Sequence, residues 1–231
     1  MMAKSKVLVW DAPTRIFHWL LALSFIGAFL TAESEQYRDV HVLLGYTVLG
    51  LVAFRLLWGL VGTRYARFRS FAYGPRSVLT YVKSLFTRSP HHYMGHNPAG
   101  SWAIYALLAL SLLAGATGYA TYHDIGGHGM EDVHEALANT LLGLVFVHIG
   151  GVVLSSVVHR ENLVRSMLNG YKFGNSGEGI RYRHRLIGGT LVAAVAALWI
   201  AGPDSQLAGW IPRGHAAAAV QYQSADRRHD D

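Results

Sequence analysis

Five apolar blocks dominate this chain, at residues 16–32, 40–61, 101–122, 136–158 and 186–201. The hydrocarbon core of a bilayer is about 30 Å thick and takes about 20 apolar residues to cross as a helix. Backbone N–H and C=O groups find no water there, so blocks of this kind are confined to helices that satisfy their own hydrogen bonds. Among the 231 residues, 52% are hydrophobic and only 15% charged, more apolar than a soluble domain of this size needs. The expected fold is all-α: an integral membrane helical bundle with a four-helix core, plus block 186–201 as a fifth transmembrane helix. Residues 1–172 are expected to form the main transmembrane domain, and residues 173–231 the fifth span and an outer tail.

Lys and Arg resist translocation, so their distribution sets the orientation. Lys4, Lys6 and Arg15 precede the first span. The connection 62–100 carries Arg64, Arg67, Arg69, Arg76, Lys83 and Arg88 with no acid, and six more Lys and Arg residues follow the fourth span within 160–185. The connection 33–39 holds only Arg38, and 123–135 has no Lys or Arg beside Asp124, Glu131 and Asp132. The amino terminus is therefore expected on the cytoplasmic side. The net charge of +6 is accounted for by this asymmetry and by anionic membrane lipid, so nucleic acid is not an expected partner. The first span imitates a signal peptide, but its retention is expected because cleavage would remove His18. The absence of cysteine excludes disulfides, iron–sulfur clusters, thiolate ligation and covalent c-type haem.

Imidazole remains as the strong ligand. Ionisable groups at membrane depth are expensive, and their default reading is functional. His134 and His148 are fourteen residues apart, about 40° short of four turns and roughly 21 Å along a helix. They leave one face of the fourth span at opposite sides of the bilayer. His18 lies near the inner end of the first span and His41 near the outer end of the second, so the depths pair His18 with His148 and His41 with His134. A haem iron takes two axial ligands on opposite faces of the ring, which facing helices supply. Two such pairs suit two non-covalent, bis-His haem b groups, with His18 and His148 on the inner iron and His41 and His134 on the outer. Filled axial positions leave no vacancy for dioxygen, so electron transfer is the expected activity. Zinc, which wants about four ligands at one point, fits these divided pairs poorly.

Four further features accompany the pairs. Gly45, Gly150 and Gly151 would let a bulky ring approach the backbone or serve ordinary helix packing. Arg55, fourteen residues after His41, would either pair with a haem propionate or snorkel to the inner headgroups. Residues 68–86 suit a short amphipathic helix at the membrane surface. His91, His92 and His96 read as a solvated loop cluster.

The segments Ile16-Phe-His-Trp19, Val40-His-Val-Leu-Leu-Gly45 and Val133 through His148 resemble the ligand segments of the bacterial cytochrome b561 family, which includes the b-type cytochrome subunits of nickel–iron hydrogenases. Val9-Trp-Asp-Ala-Pro-Thr-Arg15 and His159-Arg-Glu-Asn-Leu-Val-Arg165 are similar to the hydrogenase-type branch. The likeness spans roughly residues 7 to 172. It implies a four-helix core with two haems b ligated by His18, His41, His134 and His148, in the bacterial inner membrane. It also implies electron exchange with membrane quinone and a redox protein partner such as a c-type cytochrome or a hydrogenase-like complex. Arg15, His159, Tyr119 and His123 are membrane-edge candidates for a quinone slot. The leading expectation is transmembrane electron transfer between quinone and that partner. Superoxide oxidation with electrons passed to quinone, a non-catalytic anchor, and a metal or proton transporter are the alternatives.

Overall fold

A computed structural model describes residues 5–202; the expected outer tail lies beyond them. The chain opens with a short strand, β1 (Ser5–Leu8), and then forms α1 (Ala12–Thr31), α2 (Arg38–Val61), α3 (Pro75–Ser84), α4 (Pro98–Tyr122), α5 (His128–His159) and α6 (Leu163–Asn169). A second strand, β2 (Tyr171–Gly174), and α7 (Arg185–Ala201) complete it. Four helices, α1, α2, α4 and α5, are long and apolar enough to cross a membrane. They run antiparallel to one another in sequence order, so the histidines divide between a proximal end, which carries β1, and a distal end.

Two of the long helices, α1 and α4, start before their apolar blocks because a polar cap precedes the hydrophobic run. Asp11 caps α1, accepting from the Thr14 N–H at 2.8 Å, with Pro13 in the first turn. Asn97 caps α4, accepting from the Gly100 N–H at 2.7 Å, with Pro98 as the first helical residue. Phe17, Val48, Leu51, Val52 and Leu108 form the core between α1, α2 and α4. Leu23, Leu30, Phe146, Val147 and Val157 face outward and stay exposed, as lipid-facing side chains do.

The seventh helix packs along α1 and α2. Leu191 joins the core, the Trp199 Nε1–H donates to Thr47 Oγ1 at 3.2 Å, and a Cβ at Gly188 would come within 2.7 Å of Ile16. Its 17 residues give about 26 Å of rise, shorter than the other four.

The proximal end is closed by a folded cap. Antiparallel pairing joins Leu8 to Tyr171 and Ser5 to Gly174, and the Val9 and Trp10 N–H groups donate to Gly170 O. Val7, Val9, Trp10 and Tyr65 pack here with Met94, Met167 and Ile180. The amphipathic segment expected at 68–86 is realised as α3, whose Tyr81 is buried and whose hydroxyl lies 3.2 Å from Ser155 Oγ on α5.

Candidate cofactor site

At the distal end, the first turn of α2 presents His41 and the second turn of α5 presents His134. The ring centres are 6.2 Å apart and the planes perpendicular. The His41 Nδ1–H donates to Ala28 O on α1 at 2.8 Å, and the His134 Nδ1–H donates to Ala114 O on α4 at 2.9 Å. A carbonyl only accepts, so both rings carry their proton on Nδ1 and leave the Nε2 lone pair free. This carbonyl anchoring is the arrangement metal-ligating histidines use to fix tautomer and orientation. A cavity of about 640 Å³ opens between α1, α2, α4 and α5, with His41, His134, Gly45, Tyr46, Tyr119 and Leu141 on its walls. That volume is in the range of small-molecule and cofactor sites.

Sequence reasoning singled out Gly45, which lines this cavity with open space where a Cβ would be. Open space also faces Gly150 and Gly151. It missed Gly115 and Gly118 on α4. A Cβ at Gly118 would lie 2.8 Å from His134 Cε1, and one at Gly115 would lie 2.3 Å from Leu49 Cδ2. The small residues Ala114 and Gly118, four apart, carried the readable signal for a close helix crossing.

At the proximal end, His18 on α1 and His148 on α5 lie close enough for their charges to interact. His18 packs edge-on against Trp19 at 5.1 Å, and its Nδ1 is enclosed without a hydrogen-bond partner. On α2, Arg55 is 3% exposed. Its guanidinium carbon lies 4.8 Å from the centre of the Phe68 ring, and its Nη1 has no hydrogen-bond partner.

The expectation of one solvated cluster at His91, His92 and His96 is corrected. His91 is exposed, but His92 Nε2 lies 2.8 Å from Glu161 Oε1, and Lys172 Nζ meets the other oxygen at 2.9 Å. Burial works against the ionised form of Glu161, yet the hydrogen bonds and charges of His92 and Lys172 prevail and hold its pKa down at about 2. His96 turns inward between Trp10 at 4.7 Å and Phe71 at 4.3 Å. Its ring borders a small proximal cavity while Nδ1 is fully enclosed. Burial, reinforced by the positive charges of Arg55 and Lys172 and by His148, pushes its pKa down to about 3, so the ring is neutral. The loop reads as polar from its own residues; the cover comes from aromatic side chains distant in sequence.

The quinone-slot candidates separate two and two. Arg15 donates to Leu168 O, and the His159 ring centre is 5.5 Å from that of His92, both at the proximal end. Tyr119 lines the distal cavity, with His123 4.4 Å from its ring.

Comparison with known proteins agrees with this architecture. A model of the prokaryotic cytochrome b561 family matches residues 9–170. Similar curated proteins carry the name "Probable Ni/Fe-hydrogenase B-type cytochrome subunit". The one from Rhizobium leguminosarum bv. viciae is 25% identical, over 72% of this chain and 89% of the relative. That from Azotobacter vinelandii is 25% identical, over 73% and 89%. A protein of Escherichia coli strain K12 named as the corresponding hydrogenase 1 subunit is 26% identical, over 72% and 92%. No solved structure gives a significant match. With the match running from the α1 cap to the end of α6, this multi-pass membrane protein belongs to the prokaryotic cytochrome b561 family.

Proposed function

We propose that the protein holds two b-type haems, one between His41 and His134 and one between His18 and His148, and carries electrons across the membrane between quinone and a hydrogenase-type redox complex. Membership of a cytochrome b family brings b-type haem with it. The number of haems and their ligands are read from this chain's own residues.

The spacing of the distal rings carries the proposal. With metal–nitrogen bonds of about 2.0–2.1 Å and about 1.1 Å from nitrogen to ring centre, two imidazoles on opposite sides of one metal have centres about 6.3 Å apart. His41 and His134 are at 6.2 Å, with both Nε2 atoms free. The open wall at Gly45 leaves room for a flat ring between them. At the proximal end, α1 supplies His18 and α5 supplies His148, and Arg55 offers a buried charge suited to a propionate. When bound, haem supplies reversible one-electron exchange at its iron. The chain's part is to hold the imidazoles in line, exclude water with apolar walls, and set the two sites at different depths.

The charge distribution supports a cytoplasmic proximal end in a bacterial inner membrane, and the apolarity of α7 supports a fifth crossing. The names of the relatives support a hydrogenase complex as the redox partner, and the family resemblance supports quinone. The test uses purified protein reduced anaerobically by dithionite, freed of reductant and mixed with a short-chain quinone. Both haem signals are expected to reoxidise fully. Haem that stays reduced in excess quinone contradicts quinone exchange.

A further inference from the structure

A buried guanidinium with an unsatisfied N–H is costly unless an anion meets it. Arg55 is in that position, and among the described residues no carboxylate lies within ion-pair distance of it. Asp11, itself fully buried, interacts with it only at longer range. The Asp11 oxygens are already engaged. Oδ1 accepts from the Thr14 N–H at 2.8 Å, and Oδ2 accepts from the Trp58 Nε1–H at 3.2 Å and the Thr63 hydroxyl at 2.5 Å.

A second unsatisfied group packs on the same Phe71 ring that Arg55 approaches. His96 Nδ1 is enclosed and without a partner, while its ring is gripped by Trp10 and Phe71. Phe71 also lies 6.0 Å from the Arg55 guanidinium carbon, so the two groups flank one aromatic ring. A neutral imidazole can donate one N–H without adding a second positive charge. Arg55 lies fourteen residues after His41 on α2, about 21 Å along the helix, which puts this corner at the level of the proximal histidine pair.

We infer that Arg55 and His96 form a two-donor anion clamp that takes a propionate carboxylate of the haem held by His18 and His148. The inference rests on the two-haem reading above. A carboxylate there neutralises the guanidinium and accepts the His96 N–H, converting two orphan groups into charge-assisted hydrogen bonds. A lipid phosphate offers the same charge, but it leaves when the protein is delipidated, whereas a propionate stays with the haem.

The test measures haem per chain and both midpoint potentials by spectroscopic redox titration of the purified protein. Removing a donor leaves more negative charge near the iron and favours the ferric form. Arg55→Gln and His96→Leu should each lower the reduced-to-oxidised ratio of the same haem about tenfold at fixed potential, equivalent to 59 mV for one electron. A His41→Ala background, retaining the proximal haem, identifies which haem responds. His96→Ala gives a second reading: added imidazole should restore its midpoint. Full haem content with unchanged midpoints, a shift confined to the distal haem, or a lowered midpoint that imidazole leaves lowered would each overturn the clamp while the two-haem reading stands. Fewer than two haems in the wild-type protein would overturn both.

Discussion

Gly118 stands where α4 passes beneath the His134 ring, and an added Cβ would come within 2.8 Å of it. The ring cannot yield freely, because its Nδ1–H is tied to Ala114 O one turn earlier on the same helix. Overpacking of this kind costs about 1–3 kcal/mol. Gly118→Ala is therefore expected to weaken the distal site about tenfold or more and leave the proximal one intact. Haem titration of the apoprotein, followed by reduced-minus-oxidised spectra, checks this; equal affinity at both sites in the variant and wild type would contradict it. Residue legibility follows the same contrast of surroundings. His18, His41, His134 and His148 stood out in sequence because each interrupts or borders an apolar run. His96 sits between Gly95 and Asn97 in a polar stretch, and only the fold brings Trp10 and Phe71 over it.

The helices were readable because membrane spans carry their own signal in length and apolarity. The start of α1 was readable too, from Asp11 and Pro13, whereas that of α4 was not, since Asn97 extends it beyond the hydrophobic block. The β1–β2 ribbon was hidden for a different reason: its strands are four residues each, and they pair across almost the whole described chain. This ribbon is held to the connection between α5 and α6 by Glu161, which meets Lys172 of β2 and His92 of the 85–97 loop. Its folded pKa of about 2 lies below the ordinary 4.5, so its contribution to stability is complete above pH 4.5 and is lost as pH falls towards 2. Glu161 is partly solvated, so solvent screening limits that contribution to about 1 kcal/mol or less. Glu161→Gln should lower the thermal midpoint in detergent at pH 7, with the gap closing between pH 4.5 and 2. A gap that persists unchanged at the acid end would count against the ion-pair role.

Across the whole molecule, two histidine pairs sit at opposite ends of one bundle, with His134 and His148 about 21 Å apart along α5. The helical rise made this division legible before any fold was known. The cap that encloses the proximal site was not, because it is assembled from β1, the 85–97 loop, α6 and β2, none of which is apolar over a long run. The central claim is that each pair holds one haem, and the direct measurement is haem extracted per polypeptide from wild type and the four single His→Ala variants, with low-temperature difference spectra. We predict two haems in the wild type, loss of one and the same haem in His41→Ala and His134→Ala, and loss of the other in His18→Ala and His148→Ala. Losses that cross these pairs, or wild-type protein carrying a single haem, would contradict the account.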